Sequence, residues 1–405
     1  MFRSITKVVA IVATTALAMS AAACGGDSGG GGGDGDVDSI TIGFVGSLTG
    51  PFAPSGKSSL AGLKAGAKYL EQQNEGLKVT IKERDTKGEP TAAVAATRAL
   101  AQEKVSALYY STEAFAPVQD VLNQVKIPGS TAGGIASILD EVGDSNRYKY
   151  AFSTGAGTAG PTSIEPLLAY AASAGTTVAV LDDSTAFGTS QRELTEQIAK
   201  ENYPEVKIVK ESFPATASDV TSQLNKLKNS GAESLIVWSY GAPLVATMSS
   251  LDKIGWTPQM SGVLGIGDPA TAELIPEGMK STLAAGPMAK TFLSTDPGAK
   301  PTGIAADFVK LYLEQQDKSE FNALDTVGAV TFDWVLIVQQ AAKKAGSTDS
   351  QKIKDVLVSG ESFDGANGSY TFGPDERIGI GADQLGVFTP AQPCEFGMCV
   401  ESPIK

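Results

Sequence analysis

Histidine is absent from this chain of 405 residues. With it go the Ser-His-Asp and Cys-His arrangements and every histidine-ligated metal site. Paired carboxylates do not recur at a fixed spacing either, so a hydrolase has no machinery here, and no motif calls for a cofactor. Cysteine is scarce, at three residues. Basic residues number 32 against 45 acidic ones and form no cluster, which leaves nucleic acid and anionic membrane surfaces without an electrostatic footprint. Long apolar runs are also missing. Val327–Val338 comes nearest, but Asp333 interrupts it, and its length suits a core helix better than a bilayer span of about 20 residues.

What is present begins at the N-terminus. Arg3 and Lys7 are the only charges before Asp27, and Val8–Met19 is apolar apart from Thr14 and Thr15. A basic start, a short apolar core and small residues at the exit describe an export signal over residues 1–23. The exit "SAAAC" resembles a bacterial lipobox, with Ala21 where leucine is usual. Cys24 is then the lipidated first residue of the mature protein. Residues 24–37, rich in glycine, have almost nothing to bury and read as a tether with an end-to-end distance of roughly 20 Å. Removal of Arg3 and Lys7 with the signal leaves 30 basic side chains against 45 acidic ones, a formal charge of −15. About 380 residues remain, enough for two lobes of ordinary domain size.

From Ser39 onward, β-rich runs alternate with amphipathic segments. "SITIGFVGSL" reads as a buried strand, and Leu60, Leu63, Ala67 and Leu70 line one helical face in the segment that follows. "LKVTIKERD" and "VSALYYS" are further strands, separated by a helix over 90–104, and a helix over 116–125 comes next. The rhythm restarts with "TTVAVLDD", "VKIVKESF" and "ESLIVWSYG", each joined to the next by a helix. Two such series predict an α/β fold of two doubly wound parallel-sheet lobes. Helices over 304–316 and 326–344, then strands over 368–374 and 384–390, predict that the chain crosses between lobes more than once, through a multi-crossing hinge. Ligands in such sheets sit beyond the carboxyl ends of the strands.

The first of those loops, "GPFAPSGKS", comes close to a phosphate-binding loop. It has five residues between its glycines where that motif needs four, and Pro51 and Pro54 lack the N–H groups such a loop uses.

The stretch "ITIGFVGSLTGPFAPSG", followed by "ERDTKGEPTAAVAATRAL", "STEAFAPVQDVLNQVKIPGSTAG" and "VAVLDDSTAFGTSQRELTEQIAKE", resembles the leucine/isoleucine/valine-binding proteins. These are substrate-binding proteins of ABC importers with the type 1 periplasmic binding fold, and the resemblance covers nearly the whole mature chain. It implies lobes over 38–154 with 286–376 and over 155–285 with 377–405, closing on one small ligand. It implies a permease and an ATPase on separate chains, no enzymatic activity, and a monomer held to the outer face of the cytoplasmic membrane only through Cys24. A ligand sensor that signals through a partner protein is the alternative within the same fold.

The resemblance also assigns candidate residues. Ser111 or Thr112 would hold a ligand carboxylate, although Thr112 could simply cap the next helix. Ser130 or Thr131 would take a ligand amino group, although "PGSTAGG" could be a plain turn. Phe187, Trp238 and Tyr240 would form aromatic walls. Alternation along the strand puts Trp238 and Tyr240 on one face, toward either the cleft or the core. Ser55 replaces an aromatic that relatives carry. Leu264 falls where amino-acid-binding relatives place a glutamate for the ligand ammonium. Either Asp268, Asp183 or Glu113 takes over, or the ligand is not a free α-amino acid. Cys394 and Cys399 form a small terminal disulfide or remain two free thiols.

Overall fold

The β-branched runs become the centres of two parallel sheets. A computed structural model describes residues 37–50, 52–74, 77–133, 148–156, 160–267, 272–279, 286–390 and 394–402. The expected signal, Cys24 and all but the end of the tether lie outside the described residues, as does Asp268. Asp34–Lys405 is one compact unit.

The first series contains β1 (Ser39–Gly46), α1 (Ala53–Gln73), β2 (Lys78–Asp85), α2 (Pro90–Gln102), β3 (Ala107–Tyr110), the turn α3 (Thr112–Phe115), α4 (Gln119–Val125), β4 (Gly129–Thr131) and β5 (Ala151–Ser153). Its strands run parallel in the order β2-β1-β3-β4-β5. Composition explains who sits where. Ile42, Phe44 and Val45 of β1 are fully buried, as a strand covered on both faces requires. β2 carries Lys78, Lys82, Glu83 and Arg84 and takes the edge, where charge discourages pairing with another chain.

The second series repeats the plan: α5 (Pro161–Ala172), β6 (Thr177–Asp183), α6 (Ala186–Asn202), β7 (Lys207–Phe213), α7 (Thr221–Asn229), β8 (Ser234–Trp238), α8 (Gly241–Ile254) and β9 (Gln259–Gly262). Its order is β7-β6-β8-β9, again all parallel, with the charged β7 at the edge.

The remaining chain runs through β10 (Pro287–Ala289), β11 (Leu293–Ser294), α9 (Gly303–Gln316), α10 (Thr326–Ala345), α11 (Ser350–Leu357), β12 (Ser362–Gly365), β13 (Gly368–Thr371), β14 (Leu385–Val387) and β15 (Cys399–Val400). α9 and α10 return to the first sheet and pack on α1. Tyr312 and Ser58 share a hydrogen bond of 2.6 Å, and the rings of Tyr69 and Phe332 lie 5.4 Å apart. The segment after β13 joins the first sheet at β5, where Ser153 N–H donates to the Arg377 carbonyl at 2.8 Å. The chain then leaves for β14, which pairs antiparallel with β10. Cys394 and Cys399 are bonded, with Cα atoms 4.0 Å apart, and their loop leads into β15, which pairs with β11.

Both strand orders reverse direction at one place. The chain leaves β1 toward one side and β3 toward the other, and β6 and β8 do the same. Crevices open at the carboxyl ends of such strand pairs, so the loops after β1, β3, β6 and β8 frame the candidate site.

Candidate functional site

In the first lobe, three donors converge on one carboxylate oxygen. Ser47 follows β1, and its N–H and Oγ reach Glu113 Oε1 at 3.3 and 2.7 Å. Ser111 follows β3, and its Oγ donates to the same atom at 2.7 Å. Asp85, the last residue of β2, collects the neighbouring donors. Its Oδ1 accepts from the N–H groups of Leu48 at 2.9 Å, Thr49 at 3.3 Å and Lys87 at 2.9 Å, and its Oδ2 accepts from Thr49 Oγ1 at 2.7 Å. The Thr49 hydroxyl, helped by the three amides, lowers the Asp85 pKa to about 2. Gly56 permits this loop: a Cβ there would lie 1.9 Å from the Ser47 carbonyl oxygen.

In the second lobe, β6 ends in Asp183, which is 5% exposed. Thr185 Oγ1 donates to Oδ1 at 2.5 Å, and Ser239 Oγ, just after β8, donates to Oδ2 at 3.1 Å. Thr185 also caps α6 by accepting from Gly188 N–H at 3.1 Å. A Cβ on Gly188 would stand 2.5 Å from Asp183 Oδ1, so only glycine lets the helix start this close to the acid. Beside the acid stand three rings. Phe187 lies 4.7 Å from Tyr240 and 6.4 Å from Trp238, centroid to centroid. Tyr240 is 44% exposed, yet its phenol pKa is raised, first by desolvation and then by Asp183. A side chain that water touches while protein surrounds it stands in a cleft.

A protein-family model described as "Periplasmic binding protein" matches residues 39–382. The chain belongs to this family. Solved structures agree on the fold. An extracellular ligand-binding receptor from Rhodopseudomonas palustris HaA2 has a TM-score of 0.69 at 21% identity, covering 90% of this chain and 99% of its own. The branched-chain amino acid transporter substrate binding protein LivJ from Streptococcus pneumoniae, in complex with isoleucine, scores 0.65 at 19% identity and covers 88% and 97%. Leucine binding protein LivK from Thermotoga maritima scores 0.64 at 18% identity and covers 86% and 97%. No curated protein matches.

In this periplasmic binding protein the sequence-derived candidates fall into distinct places. Ser111 is buried and spends its hydroxyl on Glu113, while Thr112 is exposed at the start of α3. Ser130 shares a hydrogen bond of 3.2 Å with Thr154, and Thr131 is fully buried, its hydroxyl without a partner among the described residues. Ser55 is exposed in the first turn of α1. Leu264 is 6% exposed, at the start of a tight turn over Leu264–Gly267, and packs in the core. Phe187, Tyr240 and Asp183 come together. Trp238 and Tyr240 part company, contrary to the expected shared face. Trp238 is 2% exposed and donates through Nε1 to Thr195 at 3.0 Å, so it backs the site from within the core. β8 ends at Trp238, and strand alternation no longer governs Tyr240.

Four residues near the strand ends were not singled out from sequence: Ser47, Asp85, Ser239 and Phe52. Phe52 is 49% exposed in the first loop. Asp85 and Ser47 sit at carboxyl ends of strands, and that position alone could have drawn attention to them. The likeness of "GPFAPSGKS" to a phosphate cradle ends here, because α1 begins at Ala53 and takes most of that stretch into its first turns. Among the described residues no group of three potential ligands could hold a metal ion, and no helix is long and apolar enough to cross a membrane.

Proposed function

We propose that this protein is the solute-binding lipoprotein of an ABC importer. It captures one small, amino-acid-sized ligand between two lobes and delivers it to a permease and ATPase on separate chains. Its lobes comprise residues 38–154 with 286–376 and 155–285 with 377–405. It works as a monomer at the outer face of the cytoplasmic membrane, tethered by a lipid on Cys24, and performs no chemistry on the ligand. The observation that carries the reading is Tyr240, an open ring packed on Phe187 at the second lobe's switch point, where β6 ends in the buried Asp183. LivJ with its isoleucine and the leucine-binding LivK, of the same fold, support a ligand of that size.

A thermal-shift screen of amino acids, amides, amines and small acids on the mature chain tests this. A hundredfold excess of ligand over Kd stabilises the native state by about 2.7 kcal/mol. At least one compound should therefore raise the melting temperature by several degrees. A flat screen across all four classes would contradict the reading.

A further inference from the structure

A ligand carboxylate held at the first lobe needs hydrogen-bond donors there. The donors exist but are already engaged. The amides of Ser47, Leu48 and Thr49 and the hydroxyls of Ser47, Thr49 and Ser111 all donate to Glu113 or Asp85. The chain's own carboxylates thus occupy the anion cradle. An incoming carboxylate would find none of these donors free, with only the exposed hydroxyl of Thr112 beside them among the described residues of this loop, and would face Glu113 as a like charge. Glu113 is half-buried and anchored through Oε1 alone, and its Oε2 carries no hydrogen bond from a described residue. In the second lobe Asp183 is buried and, among the described residues, accepts only from the neutral donors Thr185 and Ser239. Among the described residues no Lys or Arg side chain pairs with Glu113, Asp85 or Asp183, although Asp182, one residue away, pairs with Arg192 at 3.1 Å. The open ring of Tyr240, against Phe187, adds a π face beside this negative charge.

We propose that the ligand is an organic cation, an amine or quaternary ammonium without a carboxylate, whose charge is taken by the free oxygen of Glu113 and the Tyr240–Phe187 rings. Cations are attracted to ring faces by the quadrupole, most strongly where water is displaced. Neutral donors and a second cationic centre are welcome at a surface where carboxylates prevail, whereas an anion is repelled there. The inference rests on the reading of the two switch points as a ligand cleft, and it names the ligand class for that cleft.

Calorimetry on the mature chain with matched pairs tests it: 3-methylbutylamine against leucine, choline against glycine betaine, and 2-phenylethylamine against phenylalanine. In at least one pair the carboxylate-free member should bind, and its carboxylated partner should bind more weakly by roughly thirtyfold or more. Glu113→Gln should weaken that amine by a similar factor while the melting temperature of the free protein holds. Glu113→Ala empties the cradle and should bring the carboxylated partner closer to the amine in affinity. If the carboxylated member binds as well or better in every pair, or a neutral amide outbinds all the amines, the cation assignment is wrong and the solute-binding reading stands. If nothing binds, here or in the wider screen, both fall.

Discussion

Trp238 and Tyr240 stand two residues apart and touch the same ring, yet they do different work. Trp238 fills core volume and donates a buried hydrogen bond to Thr195. Truncation to alanine leaves a large cavity and takes one donor from Thr195 Oγ1, which keeps its own bond to the Gln191 carbonyl, so Trp238→Ala should cost about 3–5 kcal/mol of stability. Tyr240 is open on one side, and Tyr240→Ala should cost less than about 1 kcal/mol, the range of ordinary surface changes, while lowering ligand affinity by roughly tenfold. Urea unfolding and calorimetry on both variants separate the two roles. The difference between these rings was not legible in the sequence. Alternation treats them alike, and only the end of β8 at Trp238 divides them. Glu113 was named from the sequence as a possible stand-in acid, but what it pairs with was not legible. Its partner Ser47 lies 66 positions away, and Asp85 reaches Leu48 across 37, so both pairings depend on the sheet order.

Among the elements, α10 carries the most unusual buried group. Asp333, fully buried, accepts from the N–H groups of Ala366 and Asn367, from Asn367 Nδ2 and from Tyr370 Oη. It thereby ties α10 to the turn between β12 and β13. Desolvation outweighs these four donors and raises its pKa from 3.8 to about 6. The folded state therefore binds its proton more tightly than the unfolded state does. The stability from this group is complete below the unfolded value and is lost as pH rises through about 6. The loss is on the order of 3 kcal/mol between acid and neutral pH. Asp333→Asn should be less stable at pH 5, because an amide presents N–H to donors, and should lose this part of the pH dependence. Urea midpoints of both proteins at pH 4, 5, 6 and 7 check it: parallel curves would remove Asp333 from the account. The sequence read α10 as a core helix because twenty residues of apolar pattern suffice for periodicity. It did not resolve β4, β5, β10, β11 and β15, which have two or three residues each and exist through distant pairing. The strands expected over 368–374 and 384–390 do form, as β13 and β14, while β13's partner β12 went unread.

At the scale of the whole molecule, the two-sheet plan was legible, since repeated strand–helix alternation leaves few other folds open. The proposed membrane attachment rests on residues outside the described structure, and its test is biochemical. Cys24→Ser should leave the protein unlipidated and released from membranes, with ligand affinity unchanged, because the tether takes no part in the cleft. Fractionation and calorimetry together decide this, and a variant that still sediments with membranes would exclude a lipid on Cys24. The central claim is closure on a ligand. Trp238 is already dry, so its fluorescence is a weak reporter, and the shape of the molecule is the better one. Small-angle X-ray scattering should be recorded on the mature protein alone and saturated with the compound giving the largest thermal shift. A hinged two-lobe receptor predicts a smaller radius of gyration and a shorter maximum dimension with ligand bound, whereas superimposable curves for the free and saturated protein would contradict it.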